Sequence, residues 1–280
     1  MSGIAQQIER RNILHNWDFR NPVNQRGASS YTADGYTIDR WVKISGNLTI
    51  DIADSFVRLT PTSTGSCMWG QRIEFQKIYS GKRVTLSIRY KLPGQDGGRQ
   101  ILARTNLGNI AASIIGPWST SAWNIVSSTF TIPDGITSLD VVHYVNNQMG
   151  NYIDIESAKL ELGDISTLAN DPPMDFGREL AICQRYQFSP MENIGVRAVF
   201  IQSNELQFLI PTSVSLRIVP QIASQNSLEV RTLNGVGQSG FTFSTVSSKA
   251  GVTIAAIKTV HGLTDAYLVV KAATLLDANL

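Results

Sequence analysis

The sequence is poor in the residues on which most catalytic and metal sites depend. Its 280 residues include only two cysteines, Cys67 and Cys183, and only three histidines. Two cysteines so far apart make no disulfide framework, and no histidine has a second ligand at metal-binding spacing. We therefore expect two buried free thiols, because cysteine is among the residues most often found inside proteins.

Charge and long apolar runs are also scarce. Charged residues make up 16% of the chain, the net charge is +2, and no basic run is longer than a pair. This balance excludes the cationic surface that binds nucleic acid. No apolar run is long enough to span a membrane, and the first residues lack the apolar centre of a signal peptide. The sequence predicts a protein made in the cytoplasm without secretion, with neither membrane insertion nor a nucleic-acid partner.

Sequence motifs of catalysis are missing as well. There is no nucleophile elbow, zinc-protease motif or phosphate loop, and GVGQSG at 235–240 joins two predicted strands instead of opening a helix. Carboxylates such as Asp154 and Glu156 could serve glycoside hydrolysis, but acids on alternating strands usually form a solvated face. The prediction is that the chain is not an enzyme, with a glycan-cleaving enzyme as the less favoured alternative.

What the chain has in abundance is period-two alternation. Residues 83–91 alternate polar side chains with four large apolar ones, Val84, Leu86, Ile88 and Tyr90. About nine such segments, separated by turn signals, are typical of an antiparallel β-sandwich of jelly-roll type. The apolar phase of the last segment switches between Ile155 and Ala158, which predicts a β-bulge near Ser157.

The predicted fold class is all-β, with four segments along the chain. They are an N-terminal attachment segment (1–11), a jelly-roll domain (12–163), a linker with a short helix (164–190) and a smaller C-terminal β-sandwich domain (191–280). In the short helix, Asp175 is expected at the N-cap, and an apolar stripe is predicted from Phe176, Leu180 and Cys183.

Aromatic residues are the best indication of a binding site. Flat rings stack on sugar faces while nearby polar groups form hydrogen bonds with the sugar hydroxyls. Sites without catalysis bind glycans in this way. We predict carbohydrate binding by Trp69, Trp118 and Tyr144, of which Trp118 lies in a predicted loop. Trp123 begins a predicted strand and is expected in the core, which is also the commonest place for any single tryptophan.

Two signatures bracket the first domain. NILHNWDFRNPVNQRG followed by YTADGYTIDRW, and later SAKLELGDISTLANDPPMDFGRELAICQRYQ, are similar to the opening and closing signatures of bacteriophage and prophage tail proteins. Those proteins contain a jelly roll like that of carbohydrate-binding modules. The resemblance extends over residues 12–187 and is loose beyond them.

The resemblance implies a virion protein: a tail-fibre, baseplate or other surface component that binds a host cell-surface glycan, contacts other virion proteins and forms a homotrimer. It also implies a structural calcium held by Asn16, Asp18 and Glu156, although Trp17 stands where the family usually has glycine. The alternative is a purely structural or decoration protein of the phage head or tail.

The irregular opening, residues 12–41, is then a wrapping lead-in to the jelly roll. Residues 16–19 should pack against the last strand near Glu156, and Trp41 should face the core. Most of its aromatics are thereby assigned to structure.

Overall fold

The computed structural model describes most of the chain. The described residues are 11–74, 79–93, 99–117, 119–146, 152–189, 195–212, 214, 216, 218–222, 227–232, 234–247, 251–258, 261, 263, 265–270 and 276–277. The chain forms two compact units, one of residues 1–24 and 28–176 and the other of residues 25–27 and 177–280. Among the described residues no helix is both long and apolar enough to cross a membrane.

The first unit is a sandwich of two antiparallel sheets, as the alternation predicts. Its strands are β1 (Ser30–Tyr31), β2 (Gly35–Tyr36), β3 (Val42–Ser45), β4 (Leu48–Ile52), β5 (Val57–Pro61), β6 (Ser66–Ile73), β7 (Arg83–Leu92), β8 (Arg99–Thr105), β9 (Gly108–Ile114), β10 (Ser119–Thr131), β11 (Leu139–Asn146) and β12 (Ile153–Leu162). Within the described part of the chain, the first sheet has the order β1-β4-β5-β12-β7-β10 and the second β2-β3-β6-β11-β8-β9. The prediction of an all-β fold with a jelly-roll sandwich is confirmed.

The side chains of β7 that point inward are buried as predicted, but those that point outward are not all exposed to solvent. Val84, Leu86, Ile88 and Tyr90 are all fully buried in the core. Thr85 and Ser87, on the other side, are buried as well, because residues that follow β12 cover them. Thr85 donates to the carbonyl of Gly163, and Ser87 shares a hydrogen bond with Ser166.

The β-bulge predicted near Ser157 is confirmed. The register of β12 against β7 shifts between Ile155 and Ser157, so that residues on both sides of the shift point into the core. The lead-in pairs at this point, with a bridge between Asp18 and Ser157 and a hydrogen bond from the amide of Phe19 to the carbonyl of Glu156. The predicted contact of the lead-in with the last strand is thus present.

An aromatic cluster fills the core beside the lead-in. Trp41 stacks on Trp69 with 4.5 Å between ring centroids, and Phe19 lies edge-on to Trp41 at 5.1 Å. His143 stacks against both tryptophans at 5.5 Å. The prediction that Trp41 faces the core is confirmed.

A short 3-10 helix (Leu168–Asn170) and helix α1 (Phe176–Gln184) follow the sandwich. The helix is where the sequence predicts it, but of the predicted apolar stripe only Cys183 is fully buried. Phe176 is 39% exposed, and the buried helix residues are Glu179 and Cys183. Cys67 and Cys183 are both buried and neither forms a disulfide, as expected.

The second unit is also built of antiparallel strands. They are β13 (Gln187–Phe188), β14 (Gly195–Ile201), β15 (Glu205–Pro211), β16 (Gln221–Ile222), β17 (Leu228–Arg231), β18 (Gly237–Gln238), β19 (Thr242–Ser247), β20 (Gly251–Ile257), β21 (Tyr267–Val270) and β22 (Leu276–Asp277). Within its described residues they form a seven-stranded sheet, β18-β17-β21-β14-β15-β20-β19, and a three-stranded sheet, β13-β22-β16. Residues such as Phe208, Ile254 and Leu268 give this unit its own apolar core.

Candidate functional site

The three aromatics predicted to bind carbohydrate do not form one site. Trp69 has no exposed surface, and its indole nitrogen donates to the Thr37 hydroxyl at 2.9 Å. It shares its strand phase with the buried Cys67 and Ile73, which points its ring into the core between the sheets. A ring buried in this way has no face for a sugar, so the prediction for Trp69 is wrong.

Tyr144 lies on the outer face of the second sheet, because its strand neighbours His143 and Val145 point inward. Its side chain is half-buried, and its hydroxyl shares a 2.8 Å hydrogen bond with the hydroxyl of Ser66. Trp118 lies outside the described residues. Binding by Tyr144 and by Trp118 stays a prediction.

The three residues predicted to hold calcium lie close together, but their oxygens are engaged. The Asn16 side-chain oxygen accepts the amide of Val23 at 2.7 Å, and its nitrogen donates to the carbonyls of Val23 and Asp39. With φ at +52°, Asn16 is a fully buried hub that holds the lead-in in its turn. Its amide group is therefore used for structure.

The two carboxylates of that predicted calcium site face arginines. Asp18 accepts two hydrogen bonds of 2.7 Å from the Arg20 guanidinium, and a Glu156 oxygen lies 3.1 Å from Arg89. Hydrogen bonding to Asp18 raises the pKa of Arg20. Since the cations already neutralise both acids, these residues do not fit a calcium ion. No group of three or more His, Cys, Asp or Glu side chains in the described ranges could hold a metal.

A different set of aromatics lies on the outer face of the first sheet. We call it the aromatic face, and it consists of Phe56, Arg58, Lys91, Trp123 and Tyr152. All five side chains are half-buried. They stand at outward positions of β5, β12, β7 and β10 or directly before these strands, because the alternate residues, such as Val57 and Ile153, are in the core. The expectation that Trp123 belongs to the core is wrong.

Rings and cations alternate across the aromatic face. Phe56 and Trp123 approach to 6.2 Å between ring centroids although β12 and β7 separate their strands. The Arg58 guanidinium lies 3.9 Å from the Tyr152 ring centre and 5.5 Å from that of Phe56, while the Lys91 ammonium lies 4.5 Å from that of Trp123. Such contacts fix the orientation of each ring through cation–π attraction.

A carboxylate beneath the rings holds Arg58 in place. Arg58 makes two hydrogen bonds to Asp154, of 2.7 and 2.9 Å, in the bidentate geometry that gives strong, directional pairs. The Asp154 side chain is 8% exposed and that of Arg58 is 36% exposed. The hydrogen bond to Asp154 raises the pKa of Arg58. The cation is thus presented to solvent, whereas its partner lies below the surface.

The chemistry available on this face is stacking together with polar recognition. Half-buried rings offer apolar area at fixed positions, and guanidinium and ammonium groups beside them can donate hydrogen bonds to hydroxyl oxygens. A sequence signal for it exists, because Phe56 and Arg58, like Tyr152 and Asp154, occupy the phase opposite to the apolar positions of their strands. That phase distinguishes outward from inward side chains, but it does not show which outward side chains meet.

A separate cavity of about 320 Å³ lies in the first unit. Its lining combines cationic, acidic and aromatic groups, among them Arg11, His15, Arg40, Gln71, Glu74 and Tyr79. The Gln71 side chain accepts the amide of His15 at 2.8 Å and donates to its carbonyl at 2.6 Å, which fixes one wall of the cavity. Arg40 lines it from a backbone with φ at +71°.

Comparison with known proteins gives no family for this chain. No family model matches it, and no curated protein matches its sequence. Solved structures similar to it include a cyclase from Fischerella sp. TAU in complex with 4-(1H-indol-3-yl)butan-2-one, at 11% identity and a TM-score of 0.40, covering 56% of this chain and 100% of the cyclase.

Two other solved structures are similar to about the same share of the chain. The CBM22-1 xylan-binding domain of Paenibacillus barcinonensis Xyn10C has 11% identity and a TM-score of 0.36, covering 56% of this chain and 97% of that domain. The enzymatically active domain of bacteriophage CBA120 tailspike protein 4 has 17% identity and a TM-score of 0.35, covering 54% of this chain and 21% of the tailspike chain.

These comparisons correct one prediction. Four of the similar solved structures are cyclases, which are enzymes, and this contradicts the prediction that the chain is not an enzyme. That prediction rested on the scarcity of histidine and cysteine, on the reading of the carboxylates as a solvated face and on the absence of sequence motifs for catalysis, and such motifs mark only some kinds of active site. Identities of 11% to 14% and TM-scores of 0.39 to 0.40 do not assign the cyclase activity to this chain.

Proposed function

We propose that the chain is a component of a bacteriophage particle and that its first unit binds a glycan of the host cell surface. The observation that carries the glycan proposal is the aromatic face. Phe56, Trp123 and Tyr152 leave part of their rings in solvent on a rigid sheet, with Arg58 and Lys91 between them.

The physical basis of the proposal is the combination of rings with fixed donors. A pyranose presents an apolar face that can cover an aromatic ring, and its hydroxyls then accept hydrogen bonds from adjacent cations. Because strands β5, β12, β7 and β10 hold the rings, little side-chain freedom is lost on binding, which favours affinity.

The place in a phage particle is supported by the two signatures that bracket residues 12–187 and resemble those of phage tail proteins. On this proposal the chain is part of the virion, contacts other virion proteins and assembles as a homotrimer. Its glycan-binding unit would face the host. Cryo-electron microscopy of intact particles would place the chain; a position remote from the host-facing end would contradict the role in adsorption.

An array of bacterial surface polysaccharides tests the glycan proposal. The wild-type chain should bind at least one polysaccharide, and Trp123→Ala should weaken that binding by about tenfold or more through loss of the stacked ring. Tyr144→Ala is the matched control, since it removes a half-buried ring from the outer face of the other sheet.

Four outcomes are informative. Loss of binding in Trp123→Ala alone supports the aromatic face. Loss in Tyr144→Ala alone moves the site to the second sheet and contradicts this location. Equal binding by the wild type and both variants also contradicts this location, and no binding by the wild type contradicts the glycan proposal itself. Thermal unfolding of each variant shows whether it is folded.

A further inference from the structure

A lysine and two carboxylates meet where the chain leaves the sandwich. The Lys159 ammonium lies 2.6 Å from an Asp171 oxygen and 3.5 Å from a Glu161 oxygen. Lys159 and Glu161 are on β12, two residues apart, so both side chains point to the outer face of the first sheet. Asp171 follows the 3-10 helix Leu168–Asn170, which packs back over that face.

This cluster is shielded from water. The side chains of Lys159 and Glu161 are each 1% exposed, and that of Asp171 is 17% exposed. Thr167 organises the group: its hydroxyl accepts a hydrogen bond from Lys159 at 2.8 Å and donates to Glu161 at 2.6 Å. The amide of Thr167 donates to the second Glu161 oxygen at 2.7 Å. The three reacting groups are therefore held in one geometry.

We propose that Lys159 and Asp171 join in an intramolecular isopeptide bond between the lysine Nζ and the aspartate Cγ, with Glu161 as the proton-transfer group. A nucleophile, an acyl carbon and a general base are all present within contact distance. With Nζ at 2.6 Å from a carboxylate oxygen, the neighbouring carbon is near the separation of roughly 3–3.5 Å that precedes attack.

The reaction needs no other reactant. Glu161 accepts a proton from the Lys159 ammonium and passes it to the Asp171 carboxylate, and the lone pair of the neutral amine then attacks Cγ of the protonated carboxyl group. The tetrahedral intermediate gives its second nitrogen proton to Glu161, and Glu161 transfers that proton to the departing hydroxyl group, so that Glu161 ends as a carboxylate again. One C–N bond forms, one C–O bond breaks and one water molecule leaves. No atom is oxidised or reduced.

Burial favours this condensation over the ion pair. A buried ammonium and carboxylate lose their hydration, and a neutral amide removes both charges from the site. Burial also raises the pKa of Asp171, which increases the fraction of the protonated carboxyl group that can be attacked. Exclusion of water from the site protects the product from hydrolysis.

Another lysine of the first unit provides an internal comparison. The Lys43 ammonium lies 3.2 Å from Asp34, but the Asp34 side chain is 74% exposed. The ammonium also donates a hydrogen bond to the Thr32 carbonyl, and among the described residues no second carboxylate forms an ion pair with it that could move protons. We expect Lys43 to stay an ordinary amine.

Peptide mapping of the purified full-length chain tests the inference. Trypsin cuts after lysine and arginine, and between Arg104 and Arg178 the sequence has Lys159 alone. The bond predicts no cleavage after Lys159 and one peptide, 105–178, that is lighter than its sequence by one water molecule. Cleavage after Lys43 should be normal. Separate peptides 105–159 and 160–178 with unaltered masses would overturn the inference.

Two variants test the roles of Asp171 as the acyl group and Glu161 as the base. Asp171→Ala removes the acyl group, so the variant cannot form this bond, and peptide 160–178 should appear. Glu161→Gln retains a polar side chain of the same shape but cannot act as a base, so the bond should be lost or slowed by at least tenfold. Full cross-linking in Glu161→Gln would contradict the role of Glu161. If either variant fails to fold, the wild-type peptide map still decides the question of the bond.

Discussion

At the scale of single residues, buried polar side chains distinguish this sandwich from a purely apolar one. His143 is stacked in the core against Trp41 and Trp69, and Asn16 and Asp154 are buried with partners. Burial of such groups costs free energy unless hydrogen bonds or ion pairs compensate, so their substitutions have predictable directions.

His143 makes the first unit sensitive to acid. Burial lowers its pKa from 6.5 to about 3, so the folded state keeps it neutral where the unfolded chain would protonate it. Its contribution to stability is intact above pH 6.5 and is lost by about 1.4 kcal/mol per pH unit as the pH falls from 6.5 towards 3. His143→Phe should reduce this dependence.

Urea unfolding of the wild type and His143→Phe at pH 7.5 and pH 5 measures the effect, because all other titrating groups are common to both proteins. We expect a smaller difference between the two pH values in the variant. The same loss of unfolding free energy in both proteins would contradict the neutral, buried state of His143.

Arg58 both supports the rings and neutralises a covered acid. Arg58→Gln should lower the free energy of unfolding by about 1–3 kcal/mol, since Asp154, at 8% side-chain exposure, loses a charged bidentate partner. Arg72→Gln is the matched control, because the Arg72–Asp140 pair is more exposed, at 62% and 15%. Its loss should be below about 1 kcal/mol. Denaturant unfolding of both variants measures the two losses of unfolding free energy. A larger loss in Arg72→Gln than in Arg58→Gln would contradict this prediction.

At the scale of elements, the lead-in shows how an irregular segment becomes a fixed part of a sheet protein. Residues 12–19 pair with the bulged part of β12, where the register shift frees backbone groups that a regular strand would use. The bulge could be predicted because the apolar phase changes there. The hydrogen bonds of Asn16 could not be predicted, because they join it to backbone groups of Val23 and Asp39, 7 and 23 residues away in an irregular segment without a repeating pattern.

Asn16→Ala tests the importance of this segment. It removes three buried hydrogen bonds at a residue with positive φ, so we expect a loss of about 3 kcal/mol or more. The exposed Asn47, which bonds only the Ser63 hydroxyl through its side chain, is the control, and Asn47→Ala should stay within about 0.5 kcal/mol of wild type. Equal losses in the two variants would contradict the hub role of Asn16.

The two misassigned tryptophans show what strand phase can and cannot predict. Trp69 has the same strand phase as Cys67 and Ile73, so the alternation of apolar and polar residues is sufficient to predict its burial. Trp123 stands where β10 shifts register against β7, between Ser119 and Asn124, and alternation assigns no side to a residue in an irregular stretch. The all-β fold follows from short-range pattern, whereas the aromatic face depends on side chains from four strands that meet only after folding.

At the scale of the whole molecule, one surface of the first unit is proposed to bind the host glycan. Its core, bulge and lead-in hold strands β5, β12, β7 and β10 in place, and these strands present the rings and cations of the aromatic face to solvent. The second unit has its own core. The proposed role in adsorption depends on glycan binding at the aromatic face.

Hydroxyl-radical footprinting, read by mass spectrometry with and without a polysaccharide that the chain binds, examines both outer faces of the sandwich in one measurement. We expect bound glycan to protect Trp123 and Tyr152 from oxidation, while Tyr144 and Met68 on the second sheet react as before. Protection of Tyr144 and Met68 with Trp123 and Tyr152 unchanged would contradict it.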